Sequence, residues 1–412
     1  MPGYNPGESS MSVEGNDMET EPNRFVESWL RHIRVLSEEI GPRGSTTEGE
    51  RKGSEYCAQV MRQLGIEAAV EPFTSARSIY RPHLLASLMM LAAFVLYPIA
   101  GRATEIPAAF LALLALVSDL MELGFRDNIL RRLMPKGPSQ NAVGMVAPSG
   151  EHRQDLVLIG HVDSHRTPLI FRTPRWVAIY KAFTTTAFVT FTAQTLLYFL
   201  GIFTGWIWIW PVTAVSAVSA VLLMALCLQA DSTPFSAGAN DNASGAGLVL
   251  ALAEHLRVEP LGHTRVWLAC TGCEEVQHYG AIDFFRRHLG EMSRPSALVF
   301  EMLGCAGPAW LLSEGIIVPF HADPGLVALA EGLAGEHPAW GAYGTQISGG
   351  NTETADALRA GVPSITLIGL TPDGGAPYWH MVEDTLDRMN PEVMRRGYAF
   401  TWAFMRALDS RA

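Results

Sequence analysis

The chain has 412 residues, 48% of them hydrophobic and only 17% charged, with a formal net charge of −11. An acidic chain with no basic face cannot neutralise phosphates, which excludes a nucleic-acid partner. Five cysteines (Cys57, Cys227, Cys270, Cys273, Cys305) are too few and too odd in number for a disulfide framework and read as reduced thiols.

Residues 1–22 are rich in Gly, Ser, Asn, Glu and Asp and lack a basic start followed by an apolar core. They read as a disordered acidic tail rather than a secretory signal. Apolar residues at helical spacing over 24–40 and 49–64, ending at Gly41 and Gly65, predict two opening helices. A strand is predicted at 66–73.

The chain then turns greasy. No Asp, Glu, Lys or Arg occurs over 82–101, and a second apolar run covers 106–125, with Asp119 and Glu122 near its end. A longer uncharged run, 182–230, is broken between Gly201 and Gly205. Each of the four runs is close to the ~20 residues that cross ~30 Å of hydrocarbon. Two transmembrane hairpins are therefore expected, at 82–125 and 176–230, making a multi-pass protein of four spans embedded in the lipid bilayer. Tyr198, Trp206, Trp208 and Trp210 cluster around the second turn, as an interfacial aromatic belt would. Arg77, Arg81, Arg126, Arg131, Arg132, Lys136, Arg166, Arg172, Arg175 and Lys181 lie outside the hairpins, whereas the turns contain only Arg102. That asymmetry orients the rest of the chain toward the cytoplasm. Because each insertion returns to the side it left, the segments 23–81, 126–175 and 231–412 can assemble as one folded domain.

In those segments short apolar strands are predicted at 141–146, 156–161, 265–269, 297–301 and 364–368, with helical patterns at 244–257, 279–289, 326–336, 354–360 and 391–408. Strands alternating with helices predict an α/β fold, a mixed, mainly parallel sheet sandwiched by helices. Ligand sites in such sheets lie at the carboxyl ends of strands.

Three polar clusters directly follow apolar strands or open a helix. His161-Val162-Asp163-Ser164 ends one strand, and a carboxylate two residues after a His can turn back to hold the imidazole. Gly238-Ala239-Asn240-Asp241-Asn242-Ala243-Ser244-Gly245 is a small-residue turn with Asp241 at a helix mouth, where a helix cap is the plain reading. Glu274-Glu275 follow Thr271-Gly272-Cys273; neighbouring side chains outside a helix diverge, so one can ligate a metal while the other takes a proton. Glu301 ends a further apolar strand, and His380 stands in Tyr378-Trp379-His380-Met381-Val382-Glu383-Asp384-Thr385.

In this order the residues resemble the co-catalytic zinc aminopeptidases of the M28 family, and Glu39-Ile40-Gly41-Pro42-Arg43-Gly44-Ser45 is similar to that family's entry to the fold. The resemblance implies two Zn2+ ions: His161 and Glu301 on one, His380 and Glu275 on the other, Asp241 bridging, Glu274 as general base and Asp163 orienting His161. It implies an exopeptidase releasing N-terminal residues from a peptide substrate. Glu301 stands where Asp is common, Met381 where Thr is usual, and Thr352-Glu353-Thr354 replaces Ser-Asp-His. A membrane hairpin directly after the His161 motif is unlike the soluble members.

Rival readings are a single-zinc glutaminyl cyclase on the same fold and a non-catalytic membrane scaffold on a peptidase fold. An M20-type amidohydrolase would need a lid domain of ~100 residues before the last His, more than the stretch between Glu301 and His380 holds. Cys270-Thr271-Gly272-Cys273 has redox spacing but lacks a second pair. His165 and His278, close to the motifs, are expected at the surface or in hydrogen bonds. Tyr343, Tyr378 and Gly349-Gly350 fall in loops that could line a pocket. The oligomeric state is left open, a homo-oligomer included.

Overall fold

The computed structural model describes residues 17–412, with side chains from Arg24 onward. The acidic tail expected at 1–22 lies outside the described residues up to position 16, and helix begins inside it. Helix α1 (Asp17–Arg34) runs into a π-helical turn, Val35–Ile40, and stops at Gly41, whose φ of 81° only glycine adopts freely. Helix α2 (Glu48–Gln63) is capped by Thr47, whose side chain accepts from Glu50 N–H.

There follow β1 (Ala68–Ala76), α3 (Tyr80–Leu96), α4 (Arg102–Leu123), α5 (Ile129–Leu133), β2 (Lys136–Val146) and β3 (Gln154–His161). The second insertion contributes α6 (Pro174–Thr204), α7 (Ile209–Val212) and α8 (Ala214–Asp231). The chain continues through α9 (Ser244–Val258), β4 (Thr264–Thr271), α10 (Tyr279–His288), β5 (Pro295–Glu301), β6 (Ala309–Glu314), β7 (Phe320–His321) and α11 (Pro324–Glu336). It closes with β8 (Tyr343–Gln346), α12 (Thr354–Arg359), β9 (Ser364–Ile368) and α13 (Pro391–Asp409).

Among the described residues these strands form one nine-stranded sheet in the order β1-β2-β4-β3-β5-β9-β6-β7, with β8 beside β6. The centre, β4-β3-β5-β9, is parallel. Antiparallel pairs flank it on both sides. The period of two along β3 explains the layers. Leu156 and Leu158 join Trp29 of α1, Leu250 of α9 and Phe404 of α13 on one face, while Val157 and Ile159 join Phe284 of α10 and Ala357 of α12 on the other. With both faces covered, the middles of the central strands are mainly apolar. Strands β6, β7 and β8, on the far side of β9, have no counterpart among the predicted strands.

The two insertions associate with each other. Helices α3, α4, α6 and α8 share one apolar core built largely from small residues, including Ala86, Ala93, Ala108, Ala112 and Ala220, so their backbones approach closely. Tyr97 stacks on Tyr198 at 4.0 Å, and Gln194 donates to Met90 O at 3.1 Å. The outer surface is equally apolar, with Phe110, Val189, Leu196 and Phe203 exposed. Among the described residues three helical stretches are long and apolar enough to cross a membrane: Arg102–Leu123, Pro174–Thr204 and Ile209–Asp231. Helix α3, with 17 residues, reaches roughly 26 Å.

Candidate metal centre

The carboxyl ends of β3, β4 and β5 lie side by side, and their first polar residues meet there. His161 closes β3, Glu301 closes β5, and Glu274 and Glu275 follow β4 after Gly272 and Cys273. Helix α9 comes so close to β3 that a Cβ on Gly160 would stand 2.5 Å from the Gly245 backbone, which brings the Asp241 turn against His161. His380 arrives from the loop after β9.

His161 Nε2 lies 3.5 Å from Asp241 Oδ1, 3.5 Å from Glu301 Oε2 and 3.7 Å from Glu274 Oε2. His380 Nε2 lies 3.3 Å from both Asp241 Oδ2 and Glu275 Oε2. Asp241 thus offers one oxygen to each imidazole. All five candidate ligands are buried, and the Glu274 side chain is 11% exposed.

Side chains around this set hold it in place. His161 Nδ1 pairs with the Asp163 carbonyl at 3.0 Å, which leaves Nε2 free to face the acids. The Asp163 carboxylate stands farther from that ring, at 3.5 Å, and instead accepts the backbone N–H of Glu274 and Glu275 and the Ser45 hydroxyl. It therefore ties the double-glutamate turn to the His161 strand. Asp384 accepts the backbone N–H of Asn240 and Asp241, and Asn242 donates to Glu301 Oε2 at 3.1 Å. Arg43, fully buried, donates to the carbonyls of Leu36, Gly41, Val162, Ala237 and Gly238; burial pulls its pKa down to about 10.

Cys273, Gln277, His278, Met302, Tyr378 and His380 all have left-handed φ. Each such non-glycine residue costs on the order of 1 kcal/mol, and their clustering around one cleft marks it as the place where the fold tolerates strain.

The donor set suits zinc. Ligand atoms ~2.1 Å from a tetrahedral zinc stand ~3.4 Å apart, matching the 3.3–3.5 Å separations here. Asp241 Oδ2, Glu275 Oε1, Glu301 Oε1 and His380 Nδ1 are buried without a hydrogen-bond partner. Burial, then the charges of Asp241 and Glu274, push the Glu275 carboxyl well above its usual range, and burial lifts Glu301 to about 7. So many buried acids call for a cation. Glu274 differs: burial works against its charge, but His161 and His278 outweigh it and hold its pKa below the ordinary value.

His165 and His278 are both buried and hydrogen-bonded, neither at the surface. The ring of His165 stacks on that of His380 at 3.6 Å, and its Nε2 stands 4.0 Å from Glu275 Oε2, close enough for the three residues to hold an ion together. Phe171, just before α6, packs on His380 and Trp379, and Tyr80 of α3 reaches His165 Nε2 at 3.3 Å. His278 joins Glu274 to Asp356. The cysteines are free thiols. Gly349 and Gly350 bond to the Gly315 backbone, beside a cleft of about 360 Å³ lined by Glu314, Ile316, Ile317 and Ile347.

A search of curated proteins matches an aminopeptidase, YwaD, of Bacillus subtilis (strain 168), 26% identical over 169 residues, 40% of this chain. The match spans only 36% of that relative's length. Among solved structures, a glutaminyl cyclase of Tannerella forsythia superposes with a TM-score of 0.55 at 14% identity, covering 92% of this chain and 98% of that one. BSAP, a zinc aminopeptidase from Bacillus subtilis, gives 0.54 at 14% identity, with 93% and 94% covered. These superpositions speak for the fold. Residues 221–405, which carry Asp241, Glu274, Glu275, Glu301 and His380, match the domain of peptidase family M28.

Proposed function

We propose that this chain is a membrane-anchored, dinuclear zinc exopeptidase that removes N-terminal residues from peptides, with Glu274 as general base. The observation that carries the reading is the Asp241 carboxylate, which turns one oxygen to His161 and the other to His380 while a separate acid accompanies each histidine. His161, Asp241 and Glu301 would hold one ion and His380, Asp241 and Glu275 the other. Zinc held there would polarise the scissile carbonyl and lower the pKa of a water. Glu274, kept ionised and slightly open to the cleft, takes the proton of the attacking water and passes it to the departing amine. Asp163 keeps Glu274 and Glu275 in register through their backbone N–H groups.

The division of the chain follows: an acidic tail over 1–22, then a catalytic domain made of 23–81, 126–175 and 231–412, interrupted by membrane hairpins at 82–125 and 176–230. The apolar outside of the four-helix bundle supports its burial in lipid, and the flanking arginines support a cytoplasmic catalytic domain.

The test is zinc content of the detergent-purified chain, wild type and Glu274→Gln, alongside hydrolysis of a panel of aminoacyl p-nitroanilides. About two zinc ions per chain in both, with the rate falling roughly 10²–10⁴-fold in the variant, is expected. One zinc per chain with cyclisation of an N-terminal glutaminyl peptide would replace the reading by the cyclase. A metal-free, inert protein would replace it by the scaffold.

A further inference from the structure

His278 follows the double glutamate by four residues, at the mouth of α10, with a left-handed φ of 57°. Its ring is buried between two carboxylates: Nε2 lies 3.1 Å from Glu274 Oε1, and Nδ1 lies 2.5 Å from Asp356 Oδ2. Asp356 sits on α12 and is itself held by Arg359 at 3.2 Å. The other oxygen of Glu274 faces His161.

The surroundings fix the ring further. Phe125, just beyond α4, packs against it with centroids 4.8 Å apart. Gln277 donates to Glu122 O and Arg359 to Gly124 O, each at 2.8 Å, so the end of the first hairpin clasps both the His278 loop and its acidic partner.

We propose that His278, braced by Asp356 and by the end of the first membrane hairpin, is a positioning residue that pins Glu274 through Oε1 so that Oε2 stays aimed into the metal centre. The inference rests on Glu274 being the general base. A glutamate has three rotatable side-chain bonds, and fixing the oxygen that does no chemistry aims the other.

Two substitutions separate this role from a merely structural one, because each keeps one of the two hydrogen bonds. In His278→Gln the amide reaches as far as Nε2 and preserves the bond to Glu274; in His278→Asn it reaches only as far as Nδ1 and preserves the bond to Asp356. Asparagine is also the better tolerated of the two at left-handed φ, so folding strain works against the variant expected to stay active.

In the zinc-loaded full-length protein, with an aminoacyl p-nitroanilide as reporter, His278→Gln should keep kcat within about 3-fold of wild type. His278→Asn should lose roughly 10–100-fold, with KM and zinc content unchanged. Crystal structures of both variants supply a second readout: Glu274 holds its rotamer in His278→Gln and swings in His278→Asn. Equal rates, the reverse order, or an unmoved Glu274 in His278→Asn would overturn the proposal. An active Glu274→Gln would instead overturn the choice of base, and the rotamer would still decide whether His278 holds that side chain.

Discussion

Arg43→Lys isolates the contribution of one buried guanidinium to the metal centre. Arg43 spans three segments: the end of the opening helical region at Leu36 and Gly41, the residue after His161, and the turn at Ala237 and Gly238 that leads to Asp241. A lysine keeps the charge but carries three N–H bonds on one atom, so at least two of the five carbonyls lose their donor. Each unsatisfied buried group costs ~1–3 kcal/mol, giving a total of about 2–6 kcal/mol. With a domain of this size moving ~2–4 °C per kcal/mol, the melting midpoint should fall by roughly 5–20 °C, read by tryptophan fluorescence of the protein in detergent. Two of the freed carbonyls flank His161 and Asp241, so zinc should also bind more weakly in competition with a fluorescent chelator. A variant that melts within about 2 °C of wild type and holds zinc equally well would refute the argument.

His288 at the end of α10 pairs with Glu71 of β1 at 2.9 Å, and that bond, ahead of any effect of burial, raises the imidazole pKa. A raised folded-state pKa means that the contribution is complete below ~6.5 and disappears as pH climbs through the higher value. The gap in melting temperature between wild type and Glu71→Gln should therefore be widest near pH 6 and close under alkaline conditions, and a gap independent of pH would sink the assignment. Within the bundle, a Cβ on Gly201 would collide with the Tyr97 hydroxyl. Gly201→Ala should cost about 1–3 kcal/mol by disturbing the Tyr97–Tyr198 stack, and adding Tyr97→Phe should recover most of it; a thermal melt of the double variant no better than the single one contradicts this packing.

The residues that follow apolar strands were legible because burial on both sheet faces writes a strand as an uninterrupted hydrophobic run, and the next polar group is then conspicuous. His161, Glu274, Glu275 and Glu301 all announce themselves in this way. The strands themselves fall within a few residues of the expected bounds. Strand β8 does not announce itself: Tyr-Gly-Thr-Gln at 343–346 has neither an apolar run nor strict alternation, because it sits half-exposed beside β6. The π-helical turn at Val35–Ile40 keeps a near-helical spacing and reads as a continuation of α1. Arg43 and the His278–Asp356 pair were illegible for another reason. Their meaning lies in partners as far as 195 residues away, and nothing in a Pro-Arg-Gly turn or a single histidine shows where its donors will point. The contact of His165 with His380 is illegible on the same ground, since only the folded chain lays the two rings together.

Both apolar hairpins are rooted in the walls of the candidate metal centre. The end of α4 grips the loop that carries Gln277 and His278, while Tyr80 at the start of α3 and Phe171 before α6 pack on His165 and His380. Trimming the apolar helices would strip the supports from all three histidines and, under the proposed function, leave a folded but poorly aligned catalyst. By the same linkage, if the bundle lies in lipid as proposed, a bilayer thick or thin enough to tilt it would pull on the two sides of the cleft at once, and turnover in nanodiscs should then vary with acyl-chain length even for a substrate that never touches lipid.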